Sequence, residues 1–573
     1  MSSSSSVYDA KPWVRFYPDG VPTELEVPVI PLTHLLDDAA ANFPRHRAVA
    51  FFGRTLTYRQ LRHSVDRFAV ALRRLGVRKG DRVALVLPNC PQQVIAFYGS
   101  LRLGAIVVQH NPLYTAAELH HQLVDSGAKV VVVFDRVYAT LVEALPGAEI
   151  EQVIVTSLVE YLPAVKRLAL RLPLRRAQEL REELITEVPA DADVLFFGDL
   201  LKRSRGTVRQ APISPARDLA LLQYTGGTTG RPKGAMLTHR NLVANAYQTS
   251  AWDPGSRVGH DVTLAVLPLF HAFGLTLCLT TTVLLGGTIV LLPKFDLDMV
   301  FEAVDKYKPT IFPGVPPIYS QMISSGEADS HRLDSIRTCV SGATKLPRDI
   351  VDSFQKASGG RVVQGYGLTE TSPVVLCNPL DGNARHVTVG IPVSSTEARV
   401  VDENDPDQLK PVGEAGELLV RGPQSFKGYW NQPDESADVL RDGWVRTGDI
   451  ALMSPDGYFT IIDRKRDVIM VSGFSVFPSE IEDVIREHPA VEDCAVVGVP
   501  DAYRGENVKA FVIPATERVL SAEELRQYCA QRLVAYKVPR LIETREELPR
   551  NMLGKVLRRV LREESGPNPL SNL

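Results

Sequence analysis

The sequence lacks three things: cysteines at metal-ligand spacing, any long apolar run, and a charge excess of either sign. Its six cysteines (Cys90, Cys278, Cys339, Cys377, Cys494 and Cys529) are scattered over 573 residues without a Cys-x-x-Cys pair. That disfavours a structural metal or a disulfide framework and points to a reduced compartment. No window reaches the ~18 apolar residues of a bilayer-spanning helix. The longest runs are like Leu275 to Val283, interrupted by Thr280, Thr281 and Thr282. With 64 Lys and Arg against 67 Asp and Glu, the net charge is −3. A nucleic-acid binder usually carries a basic excess, so no nucleic-acid partner is expected. The opening Met1 to Ser6 carries no basic segment followed by an apolar one, so a cytoplasmic protein is expected.

What is present fits an ordinary soluble protein of more than one domain. A single core stops growing near ~250–300 residues, so this length needs at least two. Short β-branched runs recur between amphipathic stretches: Arg82 to Leu87, Lys129 to Phe134, Val262 to Leu267 and Thr288 to Leu292. Strands buried on both faces read this way, which predicts an α/β fold of parallel or mixed sheets covered by helices. From about residue 390 short alternating strands with Gly, Asp and Pro turns predict a β-rich subdomain, to about 464. From 465 to 573 the pattern predicts a small α+β domain: helix 479–487, strands 493–499 and 508–513, helix 521–533. Ser479 and Glu482 have the spacing of a capping box.

The strongest local signal is Tyr224-Thr-Gly-Gly-Thr-Thr-Gly-Arg-Pro-Lys-Gly234. Gly226, Gly227 and Gly230 let backbone amides approach an anion. Thr225, Thr228 and Thr229 add hydroxyls, and Lys233 adds charge. A phosphate cradle follows, but not a Walker loop, which needs Gly-Lys-Ser/Thr. Further blocks follow in order: Pro268-Leu-Phe-His-Ala-Phe-Gly274, Gly365-Tyr-Gly-Leu-Thr-Glu370, Arg446-Thr-Gly-Asp449, Asp463-Arg-Lys-Arg-Asp467 and Asn551-Met-Leu-Gly-Lys555.

These six blocks resemble the adenylate-forming superfamily, and within it the bacterial long-chain fatty acyl-CoA synthetases. The resemblance implies a large N-terminal lobe, 1–464, holding the nucleotide and acyl sites, and a mobile lid, 465–573. It implies ATP, a fatty acid and coenzyme A as substrates, with Mg²⁺ held by Thr228 and Glu370. Nucleotide contacts would come from Thr225, Gly226, Gly227, Thr228, Thr229, Gly230, Lys233, Gly342, Gln364, Gly365, Tyr366, Gly367, Thr369, Asp449, Arg464 and Lys555. Tyr366 would stack on adenine, Asp449 would take the ribose hydroxyls with help from Arg464, and Lys555 would bridge the attacking carboxylate and the α-phosphate. Lys555, Thr228, Glu370 and His271 would be the catalytic set. Arg466 would be the hinge about which the lid turns, with Gly473 and Phe474 meeting coenzyme A. An acyl tunnel is expected beside His271 and Val315 to Tyr319. Leu275 stands where some long-chain members carry a tryptophan, and Ser341-Gly-Ala-Thr344 departs from the usual Gly-Gly-Ala.

Only 18 residues follow Lys555, so a separate acceptor is expected, coenzyme A most simply. Medium-chain or aryl acids and a carrier-protein acceptor stay open, as does a non-enzymatic acyl or nucleotide sensor. Within residues 164–177, Val165, Leu168, Ala169 and Leu172 share a helical face. Lys166, Arg167, Arg171, Arg175 and Arg176 supply charge. This segment either docks as a helix with a solvated basic face or rests on an anionic membrane, at its inner face.

Overall fold

The computed structural model describes residues 7–170, 172, 173, 175, 178, 181, 184–225, 232–472, 474–501, 504–515 and 521–565. The β-branched runs form strands Arg82–Val86, Val130–Phe134, Val262–Ala265 and Thr288–Leu291. Seven described strands make the first sheet, in the order Leu195–Phe196, Gln152–Thr156, Val130–Phe134, Arg82–Val86, Ile106–His110, Leu219–Thr225 and Lys233–Thr238. All neighbours are parallel except the last pair, which is antiparallel. Both faces are covered. Val83 and Leu85 enter the main core, while Ala84 and Val86 pack with Leu119, Leu123 and Leu141 on the other side. An unbroken apolar run is the pattern such a strand requires.

A second sheet joins Val262–Ala265, Thr288–Leu291, Arg47–Phe51 and Arg54–Thr57. Ile311 bridges Thr263 on one side and Thr338 on the other, linking this sheet to Thr338–Ser341 and Arg361–Gly367. An antiparallel sheet follows, built on Glu397–Val401, Gly416–Arg421, Trp444–Met453 and Phe459–Arg464. The last sheet, with Ile469–Val471, Val491–Asp501, Gly505–Pro514 and Leu541–Thr544, has its own small cores on its two faces. Among the described residues no helix is long and apolar enough to cross a membrane.

Two local expectations are corrected. The helix near Ser479 runs Pro478–Arg486 with Phe477 as its N-cap, so Ser479 is not the cap. Pro at the first turn needs no partner for its missing N–H, and the Ser479 N–H goes instead to Asp463 at 2.9 Å. Glu482 turns inward, accepting from the Val496 N–H at 2.8 Å and from Arg558 at 2.8 Å. In the basic segment one helix runs Ala164–Ala169 and ends before Leu172, which lies in a bend and does not continue its face, while Arg175 is helical again further on. Pro173, which cannot donate to a helix, follows Leu172 at once. Arg171, Arg176 and Ala177 lie outside the described residues.

Candidate active site

The strand Leu219–Thr225 ends at the carboxyl edge of the first sheet, where ligands of open α/β sheets bind. The chain returns as Lys233–Thr238, with Thr225 opposite Lys233. Gly226, Gly227, Thr228, Thr229 and Gly230, the centre of the phosphate cradle, lie outside the described residues, as does Gly473. Thr225 is half-buried and Lys233 is buried. The Lys233 ammonium is engaged by the Glu435 carboxylate and lies 5.5 Å from the centre of the Tyr429 ring.

The strand Arg361–Gly367 carries Gln364, Gly365, Tyr366 and Gly367. Gln364 Oε1 accepts from the Leu346 N–H at 3.3 Å, beyond Gly342 on the neighbouring loop. Gly365 lies opposite Cys377. A Cβ on Gly367 would stand 1.8 Å from the Pro373 carbonyl oxygen, so only glycine lets the chain turn into Thr369 and Glu370. The Glu370 Oε1 accepts from the Tyr429 hydroxyl at 2.6 Å.

The Tyr366 hydroxyl donates to Asp449 Oδ2 at 2.5 Å. Arg464 Nε pairs with Asp449 Oδ1 at 2.7 Å. Asp449 and Arg464 are partners across two antiparallel strands, and Asp449 is 2% exposed. Burial, the largest single effect, would lower the Arg464 pKa, but Asp449, Tyr366, Glu370 and Asp467 together outweigh it and the net shift is upward.

Lys555 joins this cluster from the C-terminal sheet's side. Its loop docks on the large lobe: Leu553 is buried in the main core, and the Gly554 Cβ position lies 2.9 Å from Pro317 Cγ. Gly554 also has φ +76°, a conformation other residues adopt at a cost. Asn551 Oδ1 accepts from the backbone N–H of Leu553 at 3.0 Å and of Lys555 at 2.9 Å, which closes the loop. Burial, then the Arg464 charge, lower the Lys555 pKa to about 8, with Asp449 opposing. Lys555 therefore lies within electrostatic reach of the Asp449–Arg464 pair.

His271 accepts from the Phe273 N–H through Nδ1 at 3.2 Å, capping the turn Ala272–Gly274. Its proton therefore sits on Nε2. Burial lowers its pKa to about 4, so it offers a neutral N–H donor near pH 7 and no charge. Arg466 lies on the turn Lys465–Asp467, and Asp467 pairs with Arg562 at 2.9 Å. Phe474 is exposed and stacked on Tyr536 at 4.6 Å.

A cavity of about 1160 Å³ opens beside the lysine loop and Phe270, the residue before His271. Its walls include Phe134, Leu158, Phe270, Val315 and Ile318, and the lysine loop from Arg550 to Gly554 closes one side. Arg136, Lys166, Lys294 and Arg550 also line it.

Family models match the chain over two stretches: the AMP-binding enzyme over residues 36–430, and the AMP-binding enzyme C-terminal domain over 480–555. The chain belongs to the AMP-binding enzyme family. The second match ends on Lys555, so the family's C-terminal unit includes the docked loop. A Long-chain-fatty-acid--CoA ligase of Bacillus subtilis (strain 168) is 42% identical over 97% of this chain and 99% of its own length. One from Salmonella typhimurium is 39% identical over 97% and 98%. Among solved structures, an anthranilate CoA ligase in complex with anthranoyl-AMP superposes with a TM-score of 0.80 at 28% identity, covering 94% of this chain and 98% of that one. Sequence reading of this family member passed over Tyr429 and Glu435, which hold Glu370 and Lys233. The only signal was an aromatic pair, Tyr429-Trp430, after Gly428, which resembles an ordinary turn.

Proposed function

We propose that this protein is an ATP- and Mg²⁺-dependent long-chain fatty acid:coenzyme A ligase. In the first step the fatty carboxylate oxygen attacks the α-phosphorus of ATP and pyrophosphate leaves. In the second, the coenzyme A thiol attacks the acyl carbon, gives up its proton, and AMP leaves. The observation that carries this reading is the contact of Tyr366 and Arg464 with Asp449, with the Lys555 loop docked on the large lobe and its lysine within electrostatic reach of Asp449 and Arg464. Asp449 is an anion able to accept two ribose hydroxyls, and the Tyr366 ring beside it suits an adenine face. Arg464 pairs with that carboxylate at 2.7 Å and aims it. Lys555 supplies a cation where negative charge gathers between carboxylate and α-phosphate, a form of stabilisation that often dominates catalysis. His271 Nε2–H is a neutral donor beside the acyl end.

The donor set fits Mg²⁺. Among the described residues no group of three or more His, Cys, Asp or Glu could hold a metal ion by itself, and Mg²⁺ takes most of its ligands from phosphates and water. Glu370 would hold it with Thr228, and the ion would neutralise phosphate charge. The cavity's apolar walls suit an acyl chain or the acceptor's thiol arm, and its cations suit the acceptor's phosphates. With the lysine loop docked, the cavity is closed on one side. Rotation about Arg466 would withdraw Lys555 and bring Gly473 and Phe474 to the thiol, so that one lid would serve both half-reactions.

Acid-dependent pyrophosphate exchange over a series of carboxylic acids, followed by thioester detection with and without coenzyme A, tests the reading. Exchange rising toward long chains, with coenzyme A-dependent thioester, is expected. No exchange with any acid would favour a sensor, and exchange without that thioester would favour a carrier-protein acceptor.

The membrane contact is supported by Val165 at 80% exposure and Leu168 at 65%, apolar side chains set beside Lys166 and Arg167 at the cavity's edge. Each cation near an anionic surface contributes about 1 kcal/mol. Replacing Lys166, Arg167 and Arg175 with Gln is therefore expected to weaken pelleting with anionic vesicles by about 100-fold. Unchanged pelleting would remove the contact.

A further inference from the structure

We propose that Tyr429 is a positioning residue for the Glu370 carboxylate, and that Lys233 acts through Tyr429 and Glu435 instead of contacting the nucleotide's phosphates. This deepens the ligase reading and rests on its assignment of Glu370 to the metal side of ATP.

The loop from Ser425 to Trp430 is laid against the strand that leaves the phosphate cradle. Met236 N–H donates to the Gly428 carbonyl at 2.9 Å, Lys427 N–H to Met236 at 2.9 Å, and Trp430 N–H to Gly234 at 2.8 Å. The same loop grips Glu370 twice. The Phe426 N–H donates to the Glu370 backbone carbonyl at 2.8 Å, and the Tyr429 hydroxyl donates to its Oε1 at 2.6 Å. One carboxylate oxygen is thereby fixed by a neutral donor, and the rotation of the group is set for the other. A partner of this kind orients a metal-binding carboxylate and raises its affinity.

Tyr429 is fixed in turn. Its ring packs edge-on against Phe426 at 5.0 Å, its N–H donates to Ser436 Oγ at 2.8 Å, and the Lys233 ammonium lies 5.5 Å from the ring centre. That ammonium is 5.5 Å from an aromatic face and paired with the Glu435 carboxylate of the helix Pro433–Val439, so its charge is already compensated. A lysine side chain that is 6% exposed and satisfied in this way is poorly placed to reach a phosphate as well. The arrangement forms a chain of contacts from Glu435 through Lys233 and Tyr429 to Glu370. It ties the exit of the phosphate cradle to the carboxylate across from it.

Calorimetric titrations separate this role from a direct phosphate contact. Three ligands are compared on the full chain: Mg-ATP, ATP in EDTA, and AMP. Tyr429→Phe keeps the ring and its packing and removes one hydroxyl. It is expected to weaken Mg-ATP by about tenfold, the range seen when a metal ligand loses its orienting partner, while metal-free ATP and AMP bind as in the wild type. Lys233→Met is expected to follow the same pattern. Equal weakening of Mg-ATP and metal-free ATP in Lys233→Met would show a direct phosphate contact and overturn the proposal. So would Mg-ATP binding that Tyr429→Phe leaves unchanged, or a loss of AMP binding with it, which marks a merely structural role. A wild type that binds none of the three would remove the ligase reading itself, and this proposal with it.

Discussion

Lys555→Ala is expected to lower acid-dependent pyrophosphate exchange by about 10²–10³-fold, the cost of removing one well-placed charge-stabilising donor. Thioester formation from a supplied acyl-adenylate should stay within a few-fold of wild type. The division follows from geometry: the lysine loop is seated on Pro317 with Leu553 in the main core, so Lys555 serves the step in which that loop is docked. Equal loss in both half-reactions would contradict it. The same lysine sets a pH dependence. Its pKa is lowered from the ordinary lysine value to about 8, first by burial and then by Arg464. The cation is the form that stabilises the transition state, so in the free enzyme the adenylation kcat/KM should be level below about pH 8 and fall as pH rises through it. A bound carboxylate or phosphate favours the charged form, so the fall in kcat should lie at higher pH. Lys555→Arg, which stays protonated throughout, should lose the alkaline fall whatever its absolute rate.

Asp449→Ala is expected to weaken ATP and AMP binding by at least about 100-fold. Two hydrogen bonds to a charged acceptor are lost, each contributing about 1.5–3 kcal/mol. It should also destabilise the fold by about 3 kcal/mol, because Arg464 then loses its paired carboxylate in partly buried surroundings. The Arg464 side chain keeps 30% of its exposure, which holds the cost to the low end of that range. Asp449→Asn retains the shape and should bind nucleotide better than the alanine variant, with a smaller loss in thermal midpoint. Calorimetry with AMP and thermal unfolding of the same samples separate the two effects. Nucleotide affinity within threefold of wild type in the alanine variant would rule out the ribose role.

Several of these residues were legible because a motif carries its chemistry with it. Tyr366, Glu370, Asp449, Arg464 and Lys555 each stand in a short run whose neighbours are as informative as the residue itself. The structure brings Tyr366, Asp449 and Arg464 into direct contact. Lys233 was legible only as a charge. Its position in the Gly-rich run gave no sign of Glu435, which lies 202 residues away. Ser479 and Glu482 met the spacing of a capping box, yet Asp463 and Arg558 had stronger claims on them, and a local rule yielded to buried charge. The stripe from Val165 to Leu172 assumed one continuous helix, whereas the helix closes at Ala169.

By itself the sequence determined the layered α/β architecture, because strands covered on both faces must be continuously apolar, and it determined the order of the chemical motifs. The tertiary structure decided which groups meet. Tyr429 reaches Glu370 from a loop 59 residues further on, and Lys555 comes within electrostatic reach of Asp449 on a loop whose Gly554 packs closely on Pro317. Periodicity and spacing act over one or two turns of chain. Pairing between distant charges depends on burial, which exists only once the sheets have packed.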